Sequence, residues 1–238
     1  MDPSMESGLA GRAFVAIWHD IVDEGKAAYY EWHNREHMPE RLAIPGFWRG
    51  RRYVAEHGAP EYFNFYEVDT VDVLASEAYL TRLNNPTPRT RATLPHFRNT
   101  SRLLCRLEAS IGGSQGGMVL TIRFDVAPGR EGDCRRYLAD HAVPATYRGV
   151  GVVGTHFGVT DQSISAVDTE EAKIRGAAPR VPGWVVLVEG ISAASLQQAA
   201  ADALSDEALR GNGAKDPIER GIYRLECSRQ GKGPSAGD

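Results

Sequence analysis

The chain has 238 residues, 42% hydrophobic and 24% charged, with a formal net charge of -4. That suits one large domain or two small ones, gives no electrostatic case for nucleic acid, and contains no apolar run near the ~18–20 residues that a membrane helix needs. Three cysteines without a C-x-x-C pair, behind a start that lacks an apolar signal core, read as reduced thiols of a cytoplasmic protein.

Residues 14–21 are short, apolar and partly β-branched, which predicts a strand. Asp23 offers a helix cap, a helix follows over 27–42, and Pro45-Gly46 ends it. Strands are expected at 47–55 and 61–68 around the turn His57–Pro60, then a helix from Asp72 or Ser76 to about Leu83. Three prolines within 84–101 rule out one smooth helix there, and 102–109 is a strand. After the flexible segment Gly112–Gly117 the order recurs. A strand at 118–126, a helix near 130–147, strands at 151–159 and 184–190, a helix over 192–210 and a strand at 220–228 are expected. Residues 160–181 form an insertion with no counterpart earlier, of the kind that serves as a lid or partner contact. Its acids (Asp161, Asp168, Glu170 and Glu171) are expected to be solvated, and the Gly/Pro/Ser-rich tail after Gln230 to be loose.

The recurrence extends to residues. MVLTIRFDV (118–126) echoes FVAIWHDI (14–21), with Asp20 and Asp125 at an offset of 105. EHMPERLAIPGFWRGRRY echoes DHAVPATYRGVGVVGTHF at an offset of 104, matching His37 to His141 and Gly50 to Gly154. Glu67 matches Glu189, and each copy closes on Arg-Leu-Glu. The chain therefore reads as a tandem duplication, with units at 11–111 and 117–230. The order β-α-β-β-α-β is the ferredoxin-like unit, an antiparallel sheet with helices on one face. Two such units packed by their bare faces give an α+β barrel within one chain, and a hollow between the sheets is expected to hold a ligand. Alternation sends Val15, Ile17, His19 and Ile21 toward the helices, and Ala16, Trp18 and Asp20 toward that hollow.

Residues 30–39, YEWHNREHMP, followed by Ile44-Pro45-Gly46-Phe47, resemble the first helix and turn of the dimeric α+β barrel superfamily, and most of all its EthD-like branch. The resemblance implies that barrel fold. It leaves the chemistry open among cofactor-free monooxygenases, cyclases, isomerases, dehydratases and haem proteins.

His33 and His37 stand four apart on the expected helix, a spacing that puts both on one face. With Glu36 they spell H-x-x-E-H, a zinc-peptidase pattern that lacks a third ligand here. General acid/base work by His37, with His33 and Asp20 assisting, is the preferred reading. The structural alternative is a ring that ties the helix end to the sheet. Arg51 and Tyr53 share one side of their strand with Arg49, while Arg52 takes the other. Arg51 would clamp an anion, or else protect an exposed edge strand by its charge. Tyr62, Asn64 and Tyr66 alternate where the second copy has Trp184, Val186 and Val188, the signature of a single asymmetric pocket. Trp18, Arg51, Tyr53, Tyr62, Asn64 and Tyr66 are therefore the candidate substrate contacts. Glu67, Glu189, Arg106 and Arg224 recur in both copies and read as structural ion pairs. There is no G-x-G-x-x-G, P-loop or G-x-S-x-G motif. The expectation is an isomerase, cyclase or lyase acting on a small organic molecule, with no cofactor, no membrane or nucleic-acid partner, and a homodimer as an option. The alternatives are cofactor-free oxygenation, or a binding barrel carrying haem or, at His33 and His37, a divalent metal.

Overall fold

The computed structural model describes residues 8–165, 169–175 and 182–231. Asp168 and all but the first residue of the tail after Gln230 lie outside these. Eight strands carry the fold: β1 (Ala13–Ile21), β2 (Phe47–Gly58), β3 (Tyr62–Val68), β4 (Phe97–Ile111), β5 (Met118–Val126), β6 (Val152–Thr160), β7 (Trp184–Gly190) and β8 (Ala214–Gln230). They close in the order β1-β3-β2-β8-β5-β7-β6-β4, antiparallel throughout. Each half is thus a four-stranded ferredoxin-like sheet.

The fourth strand of each half is longer than its apolar run suggested, because it serves both sheets. β4 pairs with β1 up to Arg106 and with β6 from Cys105 onward. β8 pairs with β5 up to Arg224 and with β2 from Gly221 onward. β2 is consequently an interior strand, and its arginines do not guard an edge.

The helices are α1 (Lys26–Trp32), α2 (Met38–Leu42), α3 (Glu77–Asn84), α4 (Pro88–Thr93), α5 (Glu131–Tyr137), α6 (Val143–Tyr147), α7 (Gln162–Ser165), α8 (Glu170–Arg175), α9 (Ala193–Ala199) and α10 (Asp206–Gly211). Asp23 does not cap: a short 3-10 turn, Asp23–Gly25, leads into α1 without a side-chain cap. Ser76 and Ser192 do cap, accepting from Tyr79 N and Ser195 N. α1 and α2 form one rod interrupted by a π-helical turn, His33–His37. α5 and α6 are joined by the matching turn Leu138–Ala142. No helix among the described residues is long and apolar enough to cross a membrane.

The strand alternation holds. Leu120, Ile122 and Phe124 pack under the second half's helices, with Leu138, Val143 and Leu196. Trp18, Tyr53, Phe63, Phe65 and Tyr223 point into the barrel. The expected hollow is not there. Trp18 stacks on Phe63 at 4.8 Å, Phe63 lies 5.6 Å from both Tyr53 and Tyr223, and Trp18 Nε1 donates to Thr121 Oγ1 across the sheets at 3.3 Å. An eight-stranded barrel is just wide enough for side chains to fill or for one small ligand, and aromatics from both halves fill this one.

Its polar centre is a buried ion cluster. Arg51 bridges Glu67 of its own half (2.8 Å) and Glu189 of the other (2.7 Å). Arg49 holds Glu67 with two further bonds, and His156 approaches Glu189 at 3.4 Å. Arg51 lowers the Glu189 carboxyl to about 2 against the opposing pull of burial. Arg106 and Arg224 take no part in it: they make outer ion pairs with Asp161 and Glu56.

Candidate functional site

The polar cavity lies on the other side of the first sheet, between β1, β3 and β4 and the helices of the first half. The π turn borders it. One extra residue per turn widens the helix, and such turns are found disproportionately at functional sites. Here the turn sets His33 and His37 side by side, ring centroids 5.8 Å apart, above Asn64 and Tyr66 of β3. The equivalent turn of the second half carries Leu138 and Ala142 at an offset of 105, so His37 has no structural echo in His141, which is exposed. Asn64 and Tyr66 correspond to Val186 and Val188, and the second half packs solid there. Gly50 permits the Tyr66 ring to lie against β2: a Cβ at Gly50 would come within 2.9 Å of it. Thr155, paired with the smaller Val188, occupies the equivalent place.

Hydrogen bonding fixes the His33 tautomer. Arg52 Nη1 donates to His33 Nδ1 at 3.1 Å. A guanidinium has only donors, so Nδ1 is the bare nitrogen and Nε2 carries the proton. Nε2–H therefore donates to the Tyr66 hydroxyl at 3.2 Å, and the tyrosine's own proton is left for another acceptor. Arg52 is held in turn by Glu226 (2.9 Å) and Asn34 (2.7 Å). Burial, then the Arg52 charge, keeps His33 well below the usual histidine range.

His37 is 8% exposed, and its ring packs on Trp32 at 4.2 Å between centroids. Its Nδ1 is buried without a partner among the described residues. Burial, then Arg41, holds it neutral, well below its ordinary value. Arg41, one α-helical turn further on, pairs with Glu171 of α8 in a buried contact. The remaining wall is Tyr79, Arg102 and Arg175, with Trp32, Leu83, Leu94 and Phe97 as the apolar part. The free volume is about 30 Å³, the room of a water molecule or two.

Of the candidates read from the sequence, His33, His37, Asn64 and Tyr66 meet at this cavity. Trp18, Arg51 and Tyr53 lie inside the barrel, on the opposite face of the same sheet. Tyr62 faces the helices but joins an aromatic group with Tyr30 (3.2 Å between hydroxyls) and His19. Asp20 accepts from Glu61 N at 2.6 Å and Asn99 Nδ2 at 2.7 Å, and so fastens strand ends away from His37. Glu36 turns to Thr87, which breaks up the H-x-x-E-H pattern. Among the described residues no group of three His, Cys, Asp or Glu side chains could hold a metal ion. Arg41, Arg52, Arg102, Glu171, Arg175 and Glu226 were missed. The i+4 spacing of Arg41 from His37 was a usable signal, and alternation had already set Arg52 on the side of its strand opposite Arg51. Glu171 is buried, contrary to the expectation that the insertion's acids are solvated.

Fold and element order define a ferredoxin-like α+β barrel of the dimeric-barrel type, with both four-stranded sheets supplied by one chain. No family model matches the chain, and no curated protein matches it. Among solved structures it is similar to an anthrone oxidase-like protein, at 11% identity and TM-score 0.64, over 98% of this chain and 100% of that one. It is also similar to a candidate monooxygenase of Fusobacterium nucleatum (9%, TM-score 0.55, 94% and 97% covered). A third is a heme-binding protein of Thermus thermophilus (11%, TM-score 0.51, 91% and 92% covered).

Proposed function

We propose that the chain is an enzyme that removes a proton from a small, ring-bearing organic molecule in the helix–sheet cavity, and that the carbanion so formed reacts with O2 without a cofactor. The observation that carries this is the pairing at the π turn. His37 is neutral, buried and has a free Nδ1, beside a Tyr66 hydroxyl whose proton the His33 tautomer leaves available. A neutral imidazole accepts the proton, and a phenolic O–H steadies the oxyanion that develops. Because His37 is a weakened base, the substrate must be acidic at carbon, as a CH2 between aromatic or carbonyl groups is. Its carbanion passes one electron to O2, the two radicals join as a hydroperoxide, and loss of water leaves a carbonyl. One oxygen atom ends in the product and the other in water. The names of the anthrone oxidase-like and monooxygenase-type neighbours favour this outcome over isomerisation, cyclisation or elimination, the second reading, which would start from the same deprotonation.

Haem has no ready axial ligand in His33. Through His33 it would have to break one of two hydrogen bonds, since both of that ring's nitrogens are engaged. The two halves, 11–111 and 117–230, are read as a tandem duplication of EthD-like type. Support comes from the 105-residue offset shared by β1 and β5, by β2 and β6 and by the two π turns, and from the matching bulges at Phe47/Arg49 and Val152/Gly154.

The test is an anthrone-type substrate, followed by oxygen electrode and by solvent-deuterium exchange. His37→Ala is expected to lose roughly 10²–10⁴-fold in rate with an unchanged circular dichroism spectrum. Full activity in that variant removes His37 from the chemistry. Deuterium exchange without oxygen uptake selects the second reading.

A further inference from the structure

One end of the cavity holds more positive charge than its surroundings balance. Arg41 from α2, Arg102 from β4 and Arg175 from α8 border it, against the single carboxylate of Glu171. Arg41 gives Nη2 to Glu171, while its Nη1 is buried with no partner among the described residues. Arg102 makes one hydrogen bond, from Nη2 to the Tyr79 hydroxyl. Arg175 makes none among the described residues. Arg41 and Arg102 both stand 5.8 Å from the centre of the Tyr79 ring, which places them on a common wall. Guanidinium groups gathered away from water repel one another unless an anion joins them. Their flat forks of donors match the two oxygens of a carboxylate. One carboxylate, that of Glu171, already sits there, so the site is carboxylate-sized.

Resting on the reading that this cavity is the reacting site, we infer that its basic end is a carboxylate seat: the substrate is a small organic acid whose carboxylate competes with Glu171 for Arg41, Arg102 and Arg175. The ring then lies toward Trp32, Leu94 and Phe97, under His37. Glu171 and Arg175 both ride on α8, an insertion of the second half. The second half thereby sets specificity for a reaction centre built by the first. Exchange of the Arg41–Glu171 pair for an incoming carboxylate also loosens the wall that keeps the cavity near 30 Å³, which a ring-bearing ligand requires. Burial, then Arg102, brings Arg175 down to about 10, still cationic at neutral pH.

The experiment is calorimetric titration of the full chain with benzoate and with its neutral isostere benzamide. Benzoate is expected to bind and benzamide to bind far more weakly. Arg102→Gln and Arg175→Gln should each weaken benzoate by roughly tenfold, and Glu171→Gln, which removes the competitor, should tighten it several-fold. Two substitutions at separate elements keep the test valid if one of them disturbs folding. Equal binding of the two probes, no benzoate binding to the wild type, or weaker binding in Glu171→Gln overturns the seat. The titration needs no turnover. Charge-selective binding with an inactive His37 chemistry keeps the seat and removes the reaction, and turnover of neutral substrates does the reverse.

Discussion

Tyr66 is the residue on which the site's wiring converges. Glu226 holds Arg52, Arg52 sets the bare nitrogen of His33, and His33 donates to Tyr66. Tyr66→Phe deletes only the end of that chain. The His33 Nε2–H then lacks its acceptor in a buried place, which costs about 1–3 kcal/mol of stability. The rate should fall by about 10²-fold or more if the hydroxyl steadies an oxyanion, and steady-state kinetics beside urea melts separate the two effects. The buried histidines also make stability depend on pH. His19 is brought to about 3, chiefly by burial, and His33 and His37 lie below their ordinary value. The folded state therefore binds fewer protons than the unfolded one once the pH drops below about 6.5, and stability declines with acid. For His19 the decline runs from there to about 3, at up to ~1.4 kcal/mol per pH unit. Phe124 fills the equivalent place in the second half. His19→Phe should accordingly lose less stability between pH 7.5 and 4.5 than the wild type does, as read by urea melts at the two pH values.

Among the elements, both halves carry a π turn, and the polar residues on the first one and on β3 mark where the chemistry is. The strands were legible because alternation is local: the phase of Leu120, Ile122 and Phe124, carried to β1, correctly sent His19 and Ile21 to the helices and Trp18 inward. The π turn was not, since a five-residue hydrogen-bond step leaves no pattern in residue type. Its cost to the reading was a slip of one position, which matched His37 to His141 instead of Ala142 and Gly50 to Gly154 instead of Thr155. The side of the sheet that holds the cavity was equally hidden. It depends on whether inward aromatics fill the barrel, a sum over both halves. α8 reaches the first half's cavity from more than a hundred residues away, so nothing near His37 in sequence announces Glu171 or Arg175. Deleting the exposed Arg35, whose ion pair among the described residues is with Glu31 on the surface, should convert the π turn to ordinary α-helix. The helix on either side keeps its face, His37 moves to the i+3 position from His33, and the wider spacing that sets both rings over Asn64 and Tyr66 is lost. The expected outcome is a folded chain with unchanged helix content by circular dichroism and activity reduced to that of His37→Ala. Retained activity would mean that the turn is incidental to the site.

At the scale of the whole molecule, the barrel seals through charge as well as through aromatic packing. Arg51 comes from the first half, and its two partners come one from each. Neither Glu67 nor Glu189 is left bare when Arg51 is lost. Glu67 keeps Arg49 and the Ala10 amide, while Glu189 keeps His156 and the Gly116 amide. Even so, removing the shared cation leaves two buried carboxylates under-compensated, which costs roughly 3–5 kcal/mol when one side of a buried pair is deleted. Arg51→Met should therefore lower the unfolding free energy at pH 7.5, read from urea melts, by an amount within that range. With Arg51 in place Glu189 is held at about 2, so its contribution is present at neutral pH and disappears only as the pH falls toward that value. Without Arg51 the same burial raises the carboxyl, the folded chain takes up a proton more readily than the unfolded one, and acid relieves the penalty. The gap between wild type and variant is thus expected to narrow at about pH 5. Arg51→Met combined with Glu189→Gln should recover part of the loss at pH 7.5, because the uncompensated charge goes with it. A gap that stays constant with pH, and no recovery in the double variant, would mean that Arg51 acts through packing on Tyr53 and Phe65 and that the two halves are not joined electrostatically.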